Sequence, residues 1–241
     1  QHFERAATLI EDQSGDDYER VDQILLQRWL AEIPEELIGA RPRLCILHAW
    51  NLFSFGQLDA ADRRLQDAEK ILDPSLDMDQ LSDINRMKLT GIAATIRSFL
   101  VSYSGDTQAT IRYARQALEY LPEQQLEWRS GALIALGDAY AGEGQMTAAH
   151  KARSDALAIS KASGDIYIFT IVTLSLAETL REQGQLQQAI NICERQLKRA
   201  DNSGISESVL VSWLFGIWGE VLAELNDLDK AIAQAKRGVE L

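Results

Sequence analysis

The sequence predicts an all-α protein, a right-handed α–α superhelix of about six stacked helical hairpins. Composition is the first reason. The 241 residues include only 4 prolines and 15 glycines, and 46% of them are hydrophobic, so helix breakers are few and core material is ample. The second reason is a short phrase that recurs about every forty residues, which is the signature of a repeat architecture.

The recurring phrase opens with Gly or Asn and is flanked on both sides by apolar residues at helical spacing. It starts at Gly56, Gly105, Gly144, Gly184 and Asn226, which lie 49, 39, 40 and 42 residues apart. Gly and Asn tolerate the left-handed backbone that ends a helix. Each copy is therefore interpreted as the turn between two helices.

Small residues hold fixed positions around every turn. Of the ten residues that lie seven before or twelve after a turn, nine are Gly, Ala or Ser. Because small side chains let antiparallel helices approach closely, we expect Gly137, Ala149 and Ala177 at close helix contacts. Gln196 is the exception and predicts a looser contact in the fourth hairpin. The competing interpretation is an unrelated helical bundle with a coincidental period.

We predict one domain over residues 1–241, with a degenerate leading hairpin over 1–34 and five repeats over 40–241. The predicted helices cover 3–13, 17–31, 44–55, 60–72, 81–104, 109–120, 127–142, 148–162, 166–183, 188–200, 207–225 and 230–240. A turn at 14–16 joins the first two helices, and the link at 73–79 absorbs the longest spacing. Because solenoids end in a polar capping helix, we expect this chain to be a fragment of a longer protein.

Two resemblances follow from these residues. The third copy resembles the tetratricopeptide repeat at Leu133, Leu136, Gly137, Tyr140, Gly144, Ala149 and Ala156. Over residues 1–72, the phrase Trp29-Leu-Ala-Glu-Ile-Pro34, followed by Arg41-Pro-Arg-Leu and Ala49-Trp50, resembles the repeat region of the large MalT-type bacterial transcription activators.

The second resemblance implies the inducer-sensing domain of a cytoplasmic, LuxR-family regulator. Its partners would be a small-molecule inducer or a regulatory protein, together with ATP-binding and DNA-binding domains of the same polypeptide. Inducer binding would permit ATP-dependent self-association and promoter binding by those other domains. The alternative is a generic tetratricopeptide scaffold that binds peptide or protein partners in its groove.

Charge and motifs exclude several functions for the chain itself. A net charge of −12 argues against direct nucleic-acid contact. The sequence has no G-x-x-x-x-G-K-[ST] phosphate loop, so ATP is expected only on another domain and no cofactor is expected here. Three histidines without an H-E-x-x-H motif predict no metal site. We therefore expect no enzyme activity and no membrane span, with Cys45 and Cys193 as buried thiols.

The predicted ligand site is the inner wall of the superhelix, formed by the first helix of each hairpin. Residues 3, 6, 10 and 13 before each turn lie about 130° from the packing face. The side chains predicted to bind the ligand are Trp50, Phe53, Phe99, Tyr103, Asp138, Glu178, Arg181 and Trp213. An aromatic wall with a few polar groups suits a small molecule or a peptide. The alternative is that Trp50 and Phe99 only pack against neighbouring helices.

Overall fold

The computed structural model describes residues 2–14, 23–73, 82–164, 166–206 and 208–241. These residues form thirteen helices and no strand. The helices are α1 (His2–Ser14), α2 (Gln23–Ala31), α3 (Glu35–Gly39), α4 (Pro42–Ser54), α5 (Leu58–Leu72), α6 (Asp83–Ser102), α7 (Thr107–Tyr120), α8 (Leu126–Gly142), α9 (Met146–Ser163), α10 (Ile166–Glu182), α11 (Leu186–Ser203), α12 (Val209–Glu224) and α13 (Leu228–Val239). The all-α, tetratricopeptide-like class is confirmed.

The helices of the five repeats begin and end within three residues of the predicted bounds. Two differences concern the leading segment. Ser14, predicted to begin the turn, is the last residue of α1. The short helix α3 was not predicted; it begins directly after Pro34, and Glu35 and Glu36 stand in its first turn, where acidic side chains are stabilised. The rest of the predicted turn at 14–16, the start of the predicted helix at 17–31 and most of the link at 73–79 lie outside the described residues.

The turn residues have the left-handed backbone that the sequence predicts. The φ angles are 70° at Gly56, 75° at Gly105, 73° at Gly144, 71° at Gly184 and 59° at Asn226. After the first of these turns, the Gln57 amide donates to the carbonyl of Leu52 at 2.9 Å, and the Gly56 amide donates to that of Phe53 at 2.9 Å. This pair of hydrogen bonds is the Schellman motif, which satisfies the last carbonyls of the helix.

The chain divides into two compact units, unit 1 (Gln1–Trp128) and unit 2 (Arg129–Leu241). In unit 1, α4 pairs with α5 and α6 pairs with α7. Gly91 lets α6 approach the end of α7, because a Cβ atom there would lie 2.7 Å from Cγ of Leu121. Arg97 of α6 is buried and binds Asp62 and Glu69 of α5, the latter at 2.8 Å. Unit 1 is thus held by close helix contacts and by the ion pairs that the buried Arg97 forms with two partly exposed carboxylates.

In unit 2, the close contact predicted at Gly137 and Ala149 is present, and Ala177 is buried. A Cβ atom on Gly137 would lie 2.7 Å from Cγ of Arg153 and 3.3 Å from the Ala149 carbonyl oxygen. The position of Gln196 is filled rather than loose: its side chain is 1% exposed, and Nε2 donates to Oγ1 of Thr170 on α10 at 2.7 Å. A hydrogen bond therefore takes the place of a small residue in this hairpin.

Among the described residues, no helix combines the length and apolar character needed to cross a bilayer.

Candidate functional site

Four of the predicted ligand residues come together in unit 1. Trp50 and Phe53 lie on α4, Phe99 lies on α6, and Tyr103 follows α6 directly. The centroid of the Phe53 ring is 5.5 Å from that of Trp50, 6.0 Å from that of Phe99 and 5.8 Å from that of Tyr103. These separations are typical of interacting aromatic rings.

A fifth ring, which the sequence reasoning did not include, belongs to the same group. Trp128 is 4% exposed, and its ring meets that of Trp50 edge-on at 5.4 Å. It lies sixteen residues before Gly144, one helical turn beyond the last position that was considered on that helix. Extending the same stripe by one turn would have found it. We call Trp50, Phe53, Phe99, Tyr103 and Trp128 the aromatic cluster.

Exposure differs sharply across the aromatic cluster. Trp128 is covered, Trp50, Phe53 and Phe99 are partly buried, and Tyr103 is 69% exposed. Packing between neighbouring first helices therefore accounts for part of the cluster, as the packing alternative expects. Tyr103 thus forms the exposed end of the cluster and Trp128 its covered end, with the three partly buried rings between these extremes of exposure.

The polar residues predicted for the site lie in unit 2. Asp138 of α8 is held by the buried Arg153, whose Nε donates to its Oδ1 at 3.0 Å. The hydroxyl of Ser175 on α10 donates to the same oxygen at 3.2 Å. Partial burial, together with the nearby carboxylate of Asp138, raises the pKa of Glu178. The carboxylates of Asp138 on α8 and Glu178 on α10 are thus close enough to repel each other.

Arg181 and Trp213 are placed differently. Arg181 pairs with Glu220 of α12, and its Nε lies 3.7 Å from a carboxylate oxygen of Glu224. Trp213 is 57% exposed and lies seven residues before Glu220, which is about 10 Å along a helix. The structure therefore separates Trp213 from the Arg181 pair along α12, and the predicted unit 2 residues do not form one compact group.

Burial shifts the pKa values of both cysteines and of His48. Burial raises the pKa of Cys45 to about 11 and that of Cys193 to about 12, so both are thiols at neutral pH. Burial, followed by the charge of Arg64, lowers the pKa of His48 to about 4, so its imidazole is neutral. Within the described ranges, no three His, Cys, Asp or Glu side chains are grouped so that they could hold a metal ion.

Sequence comparison matches most of the chain to one family. Residues 91–241 match the family model described as the MalT-like TPR region. The HTH-type transcriptional regulator MalT of Yersinia enterocolitica is 22% identical over 218 residues. That alignment covers 90% of this chain but only 23% of the regulator. The chain thus spans about a quarter of the length of this relative.

Solved structures share the fold. A Rap protein complexed with competence and sporulation factor superposes with a TM-score of 0.71 at 14% identity, covering 89% of this chain and 58% of that one. BtubC (BKLC) from P. vanneervenii superposes with a TM-score of 0.63 at 18% identity, covering 100% of this chain and 91% of that one. At such identities the likeness concerns the helical-repeat fold alone.

Proposed function

The chain belongs to the MalT-like TPR region family, and from this we propose that it is the effector-sensing repeat domain of a bacterial transcription regulator. The aromatic cluster carries the proposal. It combines ring surface from two successive first helices at a place where one ring, Tyr103, is 69% exposed. A ligand bound there would contact α4 and the end of α6 together.

The chemistry of the cluster favours a ligand with an apolar or ring-like face. Phe53 lies between Trp50, Phe99 and Tyr103, so a flat group can stack at the exposed end without displacing the covered rings. Aromatic side chains provide much contact area at low conformational cost. A small-molecule inducer therefore suits this surface, and a regulatory protein could present the same chemistry through an aromatic or aliphatic side chain.

Coupling to the rest of the regulator would pass through the helix stack. In a solenoid each hairpin contacts only its neighbours, so a ligand that bridges α4 and α6 biases the angle between the first two full hairpins. ATP-dependent self-association and promoter binding would then reside in domains outside this chain, in the bacterial cytoplasm. The net charge of −12 fits this division, because an acidic surface repels the DNA backbone.

Tryptophan fluorescence and calorimetry test the proposal on the 241-residue chain. Sugars, amino acids and aromatic metabolites are screened first for a change in emission, since Trp50 lies in the cluster, and hits are then measured by titration calorimetry. Tyr103→Ala and Phe53→Ala should each weaken binding about tenfold or more, because each removes a stacking face. Phe55→Ala is the matched control: Phe55 is an exposed ring at the end of α4, outside the cluster.

Binding that survives both cluster substitutions would contradict the placement of the site. If no small molecule binds and only peptides are retained, the chain acts as a scaffold rather than as a metabolite sensor.

A further inference from the structure

A second candidate site lies in unit 2 and shares no residue with the aromatic cluster. A cavity of about 250 Å³ is lined by residues of α9, α10 and α11. Its apolar part consists of Leu157, Phe169 and Ile192. The cavity is therefore large enough for a small ligand and has a hydrophobic wall on which the carbon part of such a ligand could lie.

The charged side chains that line this cavity are all cationic: Lys161, Arg195, Lys198 and Arg199. No carboxylate from the described part of the chain lines it. None of these four cations forms an ion pair with another described residue. In a chain with 36 acidic and 24 basic residues, four cations that form no ion pair with a described residue give this cavity a local positive potential that attracts anions.

Two of the four side chains are held in place without a carboxylate. The guanidinium carbon of Arg199 lies 4.6 Å from the centroid of the Phe169 ring, a cation–π contact. Nε of Arg195 donates to the Asn191 carbonyl at 3.0 Å. Between them, Gln196 is buried and bonded to Thr170, which fixes this part of α11 against α10. The remaining N–H groups of both guanidinium groups are available to a ligand.

Two other cavities in the described part of the chain do not share this charge pattern. A cavity of about 500 Å³ beside α11, α12 and α13 is also lined by Lys198 but has three carboxylates, those of Glu194, Asp201 and Glu240. In unit 1 a cavity of about 600 Å³ has Arg86 and, again, three carboxylates, those of Glu69, Asp73 and Asp83. Lys198 therefore lines both of these cavities of unit 2, whereas Lys161, Arg195 and Arg199 line only the 250 Å³ cavity among these three.

We propose that this cavity binds a small molecule that carries a phosphate group. Arginine presents planar pairs of N–H donors that match phosphate oxygens, and two lysines add charge against a dianion. The carbon part of the ligand would lie against Phe169 and Leu157. A charged regulator of this kind would act at a site distinct from the aromatic cluster, so the proposal stands independently of the proposed inducer site.

Titration calorimetry with pyrophosphate as the probe tests the proposal on the whole chain. We expect saturable one-to-one binding that weakens as salt is raised. The double variant Arg195→Gln/Arg199→Gln should lower the affinity by about tenfold or more. Arg199→Lys should retain part of it, because the charge remains while the paired donors are lost. The charge-matched control Lys151→Gln/Lys236→Gln removes two exposed cations that do not line the cavity and should bind as the parent does.

Amide chemical shifts locate the bound probe, and the largest changes are expected near Lys161, Arg195 and Arg199. The proposal is overturned if the parent chain takes up no pyrophosphate, or if the control pair loses as much affinity as the double variant. It is also overturned if duplex DNA or a polyglutamate peptide binds the same residues more tightly than pyrophosphate does. The four cations would then bind polyanions in general, and the cavity would not be a site for a small phosphate compound. Tyr103→Ala should leave pyrophosphate binding unchanged, which separates this test from that of the aromatic cluster.

Discussion

Gly137→Ala is a substitution whose effect on stability can be worked out from one contact. Gly137 lies in α8, where it faces α9, and an added Cβ atom would lie 2.7 Å from Cγ of Arg153. Real Cβ atoms do not approach a carbon so closely, so the Arg153 side chain must move. That side chain is 2% exposed and is bonded to Asp138 and Thr179, and its Nη1 lies 3.9 Å from Glu182. Movement therefore disturbs a buried charge network.

Two opposing terms set the size of the effect. Overpacking a tight contact costs about 1–3 kcal/mol. Replacing Gly by Ala inside a helix returns about 0.5–1 kcal/mol, because the unfolded chain loses less freedom. The contact term is the larger, so we expect Gly137→Ala to lower the free energy of unfolding by about 1–2 kcal/mol. Leucine at this position reaches further into Arg153 and should cost at least as much.

Urea unfolding followed by circular dichroism measures the change, and two comparisons isolate its cause. Gly216→Ala is the matched control: Gly216 also lies in a helix, but nothing stands within 4 Å of an added Cβ, so this variant should be more stable by about 0.5–1 kcal/mol. In an Arg153→Ala background the 2.7 Å clash is absent, and Gly137→Ala should become neutral or stabilising. The sign of the effect should thus reverse with the partner residue.

A Gly137→Ala variant that unfolds at the same urea concentration as the parent would show that the contact is not tight. Equal destabilisation with and without Arg153 would assign the cost to the Ala149 carbonyl, 3.3 Å away, rather than to the displaced guanidinium.

Three further measurements address single groups. His48 has a pKa of about 4 instead of 6.5, so the unfolded chain takes up the proton first as the pH falls. The free energy of unfolding of the parent should therefore fall by about 2 kcal/mol more than that of His48→Gln between about pH 6.5 and 4.5. Equal losses by chemical denaturation would refute the burial of this imidazole. Asn226 has a φ of 59°, so Asn226→Gly should raise the unfolding free energy by up to about 1 kcal/mol, and a lower melting temperature would contradict this reasoning. The Cys193 thiol, with a pKa of about 12, should alkylate about a hundredfold or more slowly in the folded chain than in urea at pH 8, and equal rates by mass spectrometry would show that it is accessible.

The sequence predicts the hairpins well because the repeat supplies the same information five times. Turn glycines, small contact residues and apolar spacing all point to the same frame, and the left-handed turns at Gly144 and Gly184 follow from it. In several repeats the predicted helix begins two residues too late; for example, the helix predicted to begin at residue 60 begins at Leu58. The reason is that the turn leaves only one residue, Gln57, between the left-handed glycine and the next helix.

Features that depend on one copy were harder to predict. Helix α3 occurs once, outside the repeat, and its five residues are too few for a periodic signal. Gln196 breaks the small-residue pattern, and its hydrogen bond to Thr170 depends on a hydroxyl that a pattern of residue sizes does not consider. The sequence did not predict the cationic cavity either. Lys161 of α9 and Arg195 of α11 are far apart in sequence, and only the packing of their helices brings both side chains to one cavity.

The rotation of about 100° per residue in a helix links the packing positions of this solenoid to the positions of the proposed ligand site. The small residue seven before each turn sets the distance between paired helices, and the residue after it points about 100° away on the same helix. Ser98 is buried while the adjacent Phe99 joins the aromatic cluster, and Gly137 touches Arg153 while the adjacent Asp138 is exposed. The residue type at the second position can therefore vary between aromatic and acidic while the packing residue remains small. The proposed ligand-binding positions thus lie one residue away from the contacts that stabilise the fold, so the repeat predicts the position of the proposed site but not the chemistry of its ligand.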